Sequence, residues 1–342
     1  MTNVSPSSRT LIGAAAAGTI AAADPPPPPA PPDPGRRCYR LQPGETIPDG
    51  IRRAAGAQLA EAADDFAAVS AAELEAAVHA TRKRIKRVRA ALRLSRSAIG
   101  EHTYAPEKRQ LQAIAGQLSS ARDARVLLET LTALEERCAD ALPERGTIEL
   151  RARLRDEHER TLEALLAEGL DQTTAQALGE AHVRITQWTF DGDDFRTIKP
   201  ELRRIYSRGR RLLREARSEP DAEHLHDCRK RAKDLWHAAQ LLRAAHPKRM
   251  KRLSRRAHKL ADLLGDHHDL SVLRDYVEVH PHHFEDMASR DALLLTIDRR
   301  RDALGRRALK VGRGVYKRSP KKFVNRVERG WRKRVGPQPQ TA

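Results

Sequence analysis

With 64 lysines and arginines against 46 acids and a formal charge of +18 over 342 residues, the chain calls for a polyanionic partner or a repulsion-based role in solubility, and it is long enough for two halves or two domains. Aromatic residues are only 4% and Ala, Leu and Arg dominate, a composition of strong helix formers that excludes a sheet protein. No run approaches the roughly 18 apolar residues of a membrane span, and three cysteines without C-x-x-C spacing exclude a disulfide scaffold or structural zinc and fit a reducing, cytoplasmic interior.

The Ala-rich stretch 11–23 weakly imitates a signal peptide but reads as a low-complexity tail. DPPPPPAPPDP at 24–34 is a polyproline II spacer. Residues 1–38 are therefore expected to be tail and linker, with order from Tyr39 to about Val335. Helices are predicted at 51–66, 71–94, 107–138 and 147–169 in a first half, 39–190. A second half, 191–335, has them at 199–217, 222–245, 248–279 and 289–309. Pro106, Pro143, the FDGDD run at 190–194, Pro220, Pro247 and Pro281 supply the breaks. The stretch 173–189 is a further helix or a connector. Four helices with short connections in each half predict an all-α fold of two antiparallel four-helix bundles. Most of the excess charge falls at the end, where 299–334 holds 16 Lys and Arg against Asp302 and Glu328.

An internal repeat organises the two halves. His79-Ala80-Thr81-Arg82-Lys83-Arg84-Ile85-Lys86 and His226-Asp227-Cys228-Arg229-Lys230-Arg231-Ala232-Lys233 share the pattern H-x-x-R-K-R-x-K, 147 residues apart. A second pair follows at an offset of 146: Leu118 to Asp123 (LSSARD) against Leu264 to Asp269 (LGDHHD), each trailed by Val-Leu. One order and nearly one offset point to duplicated bundles rather than a short-period solenoid.

At about 100° per residue from His79, the cations Arg82, Lys83, Lys86, Arg89 and Arg93 fall between about −80° and +40°. Val78, Thr81, Ile85, Val88 and Leu92 fill the neighbouring arc, predicting one apolar face beside one cationic stripe. The second copy sets His226, Arg229, Lys230 and Lys233 beside Leu225, Cys228, Ala232, Leu235 and Ala239. Between His79 and Gly100 there is no acid, so like charges one turn apart repel without local relief. Cations about 5.4 Å apart along a helix suit a flexible linear polyanion, bound with release of counterions. The bland alternative is a solvated charged face; its recurrence at duplicated positions argues against that.

These helices, the Leu-x-x-x-Arg-Asp and Leu-Gly-Asp-x-x-Asp segments, and the phrase FDGDDFRTIKPELRRIY at 190–206 resemble the CHAD family, the conserved histidine α-helical domain. The resemblance runs from Tyr39 to Trp331 and includes Tyr39-Arg40-Leu41, Pro43-Gly44-Glu45, and Tyr316, Pro320, Lys321, Phe323 and Trp331. It implies two four-helix bundles related by pseudo-twofold symmetry, inorganic polyphosphate as ligand, and association with intracellular polyphosphate granules. It implies His79, Arg82, Lys83, Lys86, His226, Arg229, Lys230 and Lys233 as contacts, with Arg52, Arg53, Arg203, Arg204, Arg210, Arg122 and Lys259 as secondary candidates. Some relatives carry a triphosphatase domain with an E-x-E-x-K motif, which this chain lacks, so no catalytic residue, cofactor or metal is expected. Ser119-Ser120 stands where the second half has Gly265-Asp266, predicting a less sharp break in the first half.

Two rival readings compete. A metal-dependent phosphohydrolase would draw on His226, His268-Asp269 and Asp298, but cations beside His79 and His226 repel a metal. GDHHD equally suits a helix end with breaker and cap. Nucleic acid fits the charge and would bind non-specifically, yet Trp188, Trp236 and Trp331 are too scattered for a stacking platform. His79 and His226 are read as hydrogen-bonding or packing residues beside the phosphate groove.

Overall fold

The computed structural model describes residues 39–67, 70–142, 144–167, 169–284 and 286–335; the tail and spacer read at 1–38 lie outside them. Ten α-helices and no strand occur among the described residues. They are α1 (Ile47–Ala67), α2 (Ala71–Gln117), α3 (Ser119–Cys138), α4 (Glu144–Ala167), α5 (Leu170–Thr186), α6 (Lys199–Ser218), α7 (Ala222–Leu241), α8 (Pro247–Val279), α9 (Met287–Val315) and α10 (Pro320–Arg334). The undecided stretch at 173–189 is thus mostly helix, α5. No helix among the described residues is long and apolar enough to cross a membrane.

Helix α1 packs on α2 and α5, and α3 on α4; α6, α7, α8 and α9 pack in sequence. The stripe-bearing helices α2 and α7 also meet across the chain, as do α3 and α8, which carry the second repeated segment. The apolar arcs drawn from the sequence are the packed ones: Val78, Thr81, Ile85, Val88 and Leu92, like Leu225, Cys228, Ala232, Leu235 and Ala239, are all buried.

Pro106 does not end a helix. Helix α2 runs through it and bends instead at Gly100, whose φ of 75° breaks the helical run and suits a residue without a side chain. Tyr104, Leu111 and Ile114, buried beyond the bend, hold the continuation against the breaker. The Ala98 carbonyl receives the Asp191 N–H at 2.8 Å. Ser97 donates to the buried Glu201 carboxylate at 2.6 Å. The FDGDDFRTIKPELRRIY phrase therefore folds around the kink of α2, with Phe195 in the core.

The expected contrast between the repeated segments is inverted. The chain breaks at Leu118, between α2 and α3, while α8 passes through Gly265-Asp266 unbroken. Gly265 lies against Arg229: a β-carbon there would stand in ordinary contact, 3.6 Å from the guanidinium. The GDHHD phrase is thus mid-helix and not a helix end.

The basic C-terminal segment is folded. Phe323, Val324, Val327 and Trp331 of α10 are buried, against α6 and the turn Arg243–Ala245. Gly330 permits this approach, since a β-carbon there would lie 2.3 Å from the Ala245 carbonyl oxygen.

Candidate anion-binding face

Within each copy of H-x-x-R-K-R-x-K the first arginine turns inward and the first lysine stays exposed. Arg82 donates to the carbonyls of Ala115 and Leu118 at 2.8 and 2.7 Å, closing the end of α2 where backbone acceptors lack helical partners. Arg229 is 8% exposed, lies beside Gly265 and approaches Asp269 at 3.6 Å. Each arginine thus reaches the second repeated segment of its own half, giving the paired motifs a physical link. Lys83 and Lys230 are exposed, and Lys86 and Lys233 half-buried; Lys230 also holds Asp227 at 3.0 Å.

The two stripes converge. Arg93 of α2 pairs with Asp234 of α7, which Arg231 also holds at 3.1 Å. Burial first, and then the Arg93 charge, lower the proton affinity of Arg89, while Asp234 opposes them. Lys86 and Lys233, one from each stripe, both act electrostatically on His237 between them. Beyond Lys233, a groove of about 210 Å³ continues along α7 and α8, lined by Arg40, Arg243, Lys251, Arg255, Trp236 and His258. Trp236 has an imidazole on each side, with ring centroids 4.5 Å away for His237 and 3.9 Å for His258, so it is packed rather than presented for stacking.

Crowding of its ring, then Lys83 and Arg125, hold the His79 pKa below its ordinary value. Burial, then Lys230 and Arg229, do the same for His226, whose ring lies 4.6 Å from that of His268. His237 is pushed down to about 3 by burial and then Arg87; His267 is pushed to about 4 by burial and then Arg301.

The buried rings set a stability profile. An unfolded imidazole gains its proton near pH 6.5 while these folded rings stay neutral, so their contribution is complete above that pH and lost below it. Each costs about 1.4 kcal/mol per pH unit through the intervening window. Asp266 opposes them, raised to about 6 by burial and then Asp262 and Asp269, so its folded form protonates early. Urea titrations are expected to give falling stability from pH 6.5 towards 4.5; a rising profile would show that the two rings titrate normally and leave Asp266 to set the slope.

The secondary candidates are dispersed among other duties. Arg52 bonds the Trp188 carbonyl at 2.8 Å and Asp49 at 2.9 Å. Arg53 holds Glu45 at 2.7 Å and the Arg40 carbonyl at 2.7 Å. Arg204 pairs with Glu201 at 3.0 Å. Arg203, Arg210 and Lys259 are exposed, and the Arg122 side chain lies outside the described residues. Arg125, which sequence matching passed over, neighbours His79 electrostatically and bonds Glu129 at 2.6 Å.

The carboxylates of the hydrolase reading are engaged by arginines. Asp298 is held by Arg274 at 3.0 Å and Arg301 at 2.9 Å, and Asp269 faces Arg229. Among the described residues, the acid and imidazole group close enough to share an ion is Glu219, Asp221 and His224. There Asp221 caps α7 through the His224 N–H at 2.7 Å.

The CHAD domain family model matches residues 53–278. The fold is similar to that of PptA from Streptomyces chartreusis, at TM-score 0.55 and 16% identity, covering 80% of this chain and 100% of that one. It is also similar to the CHAD domain from the plant Ricinus communis, at TM-score 0.53 and 17% identity, covering 82% of this chain and 94% of that one. No curated protein matches the sequence.

Proposed function

Because the chain belongs to the CHAD domain family, we propose that it binds inorganic polyphosphate across the joined stripes of α2 and α7, performs no chemistry on it, and resides in the cytoplasm at polyphosphate granules. The observation that carries this reading is the joining of the two stripe-bearing helices, which pack on each other and are linked by Arg93 of α2 and Asp234 of α7. The first arginine of each motif is anchored in the fold, and the lysines supply point charges beside it. A linear polyanion laid across both rows neutralises several charges at once, which favours condensed phosphate chains over isolated anions. The packed state of Trp236 weighs against base stacking.

The test is a competition titration of labelled long-chain polyphosphate against single-stranded RNA and duplex DNA at near-physiological salt, with and without chelator. The proposal requires polyphosphate to resist a charge excess of nucleic acid and to remain intact. Displacement charge for charge would make the face a generic anion binder, and shortening only without chelator would reveal a metal-dependent hydrolase.

A pH effect follows from His79 and His226. Both rings have depressed proton affinity in the free protein, and an adjacent polyanion raises it. Binding then takes up protons, so affinity is expected to be higher at pH 5.5 than at pH 7.5. Equal affinities at the two pH values would place the ligand away from both rings.

A further inference from the structure

The start of α8 reads KRMKRLSRR at 248–256, six cations in nine residues. Helical spacing divides them: Lys251 and Arg255 line the groove toward α7, whereas Arg249, Arg252 and Arg256 turn to the opposite side. On that side the end of α9 and the docked α10 bring Lys317, Arg318 and Arg326. These six cations surround a cavity of about 310 Å³ that no carboxylate lines. Among the described residues, none of the six has an acidic side chain at ion-pair distance, although ion pairs occupy arginines throughout the rest of the fold.

The site is rigid. Tyr206 stacks on Phe323 with ring centroids 4.2 Å apart and meets Tyr316 edge-on at 5.4 Å. Its hydroxyl donates to the Val315 carbonyl at 3.3 Å and accepts the Arg318 N–H at 3.1 Å. The turn that carries Lys317 and Arg318 is therefore fixed before any ligand arrives. Arg318, Arg249 and Arg329 together lower the Arg326 pKa, a sign of unrelieved repulsion. Lys317, Arg318 and Arg326 also lie beyond the segment matched by the family model, which ends at residue 278.

We infer that this cavity between α8, α9 and α10 is a second anion site, separate from the stripes, that takes the terminal two or three units of a condensed phosphate. A terminal phosphate carries up to about two charges where an internal unit carries one, and Arg grips such oxygens in pairs. Six converging cations on a concave, rigid floor match that concentrated charge, whereas an open helix face matches a chain's evenly spaced interior. The inference rests on the cavity and not on the reading of the stripes.

The experiment is calorimetric titration with sodium tripolyphosphate of the full chain, of the triple variant Arg252→Gln, Arg318→Gln, Arg326→Gln, and of a stripe variant, Lys83→Ala, Lys86→Ala, Lys230→Ala, Lys233→Ala. Circular dichroism checks the helices of each. The expected result is one tight tripolyphosphate per chain, weakened at least tenfold in the triple variant and kept in the stripe variant. Long polyphosphate with free ends is expected to displace it, and chains with amidated ends to fail. Displacement by neither would assign the site to the free small anion alone. An unchanged affinity in the triple variant, loss in the stripe variant, or displacement by single-stranded RNA charge for charge would overturn the inference.

Discussion

Alanine at Lys83, Lys86, Lys230 and Lys233 together is expected to leave the helices intact and to weaken long-chain polyphosphate binding about a hundredfold, four contacts, two exposed and two half-buried, at about 0.7 kcal/mol each. The lysines are chosen because the first arginine of each motif reaches into the fold across the chain. Arg82 closes α2 on two carbonyls, and Arg229 sits buried against Gly265 and Asp269. Removing those arginines would confound loss of ligand with loss of fold. The salt dependence carries the sharper signature. Each lost phosphate contact takes about 0.7 from the slope of log affinity against log salt, so four remove about 3. Titrations across 0.05–0.2 M salt decide it. A variant with the slope of the natural chain would show that polyphosphate lies elsewhere.

Asp234→Ala is expected to act on the fold and spare the ligand. Asp234 is 7% exposed and stands between Arg93 of α2 and Arg231 of α7. Removing it strands two partly buried guanidinium groups, a loss of about 3 kcal/mol in urea unfolding. The same change deletes a negative charge from the cationic face, so affinity per folded molecule should hold or rise. Unchanged stability would mean that this ion pair does not fasten α2 to α7. Lower affinity in protein shown to be folded would mean that Asp234 orders the phosphate contacts themselves.

The helical faces were legible because burial leaves a periodic imprint. Val78, Ile85, Val88 and Leu92 follow from spacing alone, and each is buried. The division of labour inside H-x-x-R-K-R-x-K was not legible, because it depends on acceptors far along the chain. Arg82 finds Leu118 36 residues away, and nothing local separates it from Lys83. Gly265 looked like a breaker because glycine weakens helices, yet α8 runs through it, and its position against Arg229 appears only when α7 and α8 are packed. Pro106 misled for a related reason, since core burial beyond Gly100 carries α2 onward. The run at 248–256 was visible as charge, but its split between two faces required knowing that α7 and α10 flank α8 on different sides.

The pairing of Arg93 with Asp234, 141 residues apart in sequence, also has a consequence in time. Translation proceeds at roughly 5–20 residues per second. The α2 stripe is thus synthesised roughly 7 to 28 s before the acid that joins it to α7. During that interval a helix with eight cations and no acid between His79 and Gly100 is exposed beside ribosomal RNA. Glu61 and Asp65 of α1, made earlier, can take up Arg84 in that interval, whereas Arg93 waits for α7, so the nascent chain meets competing polyanions before its binding face is complete.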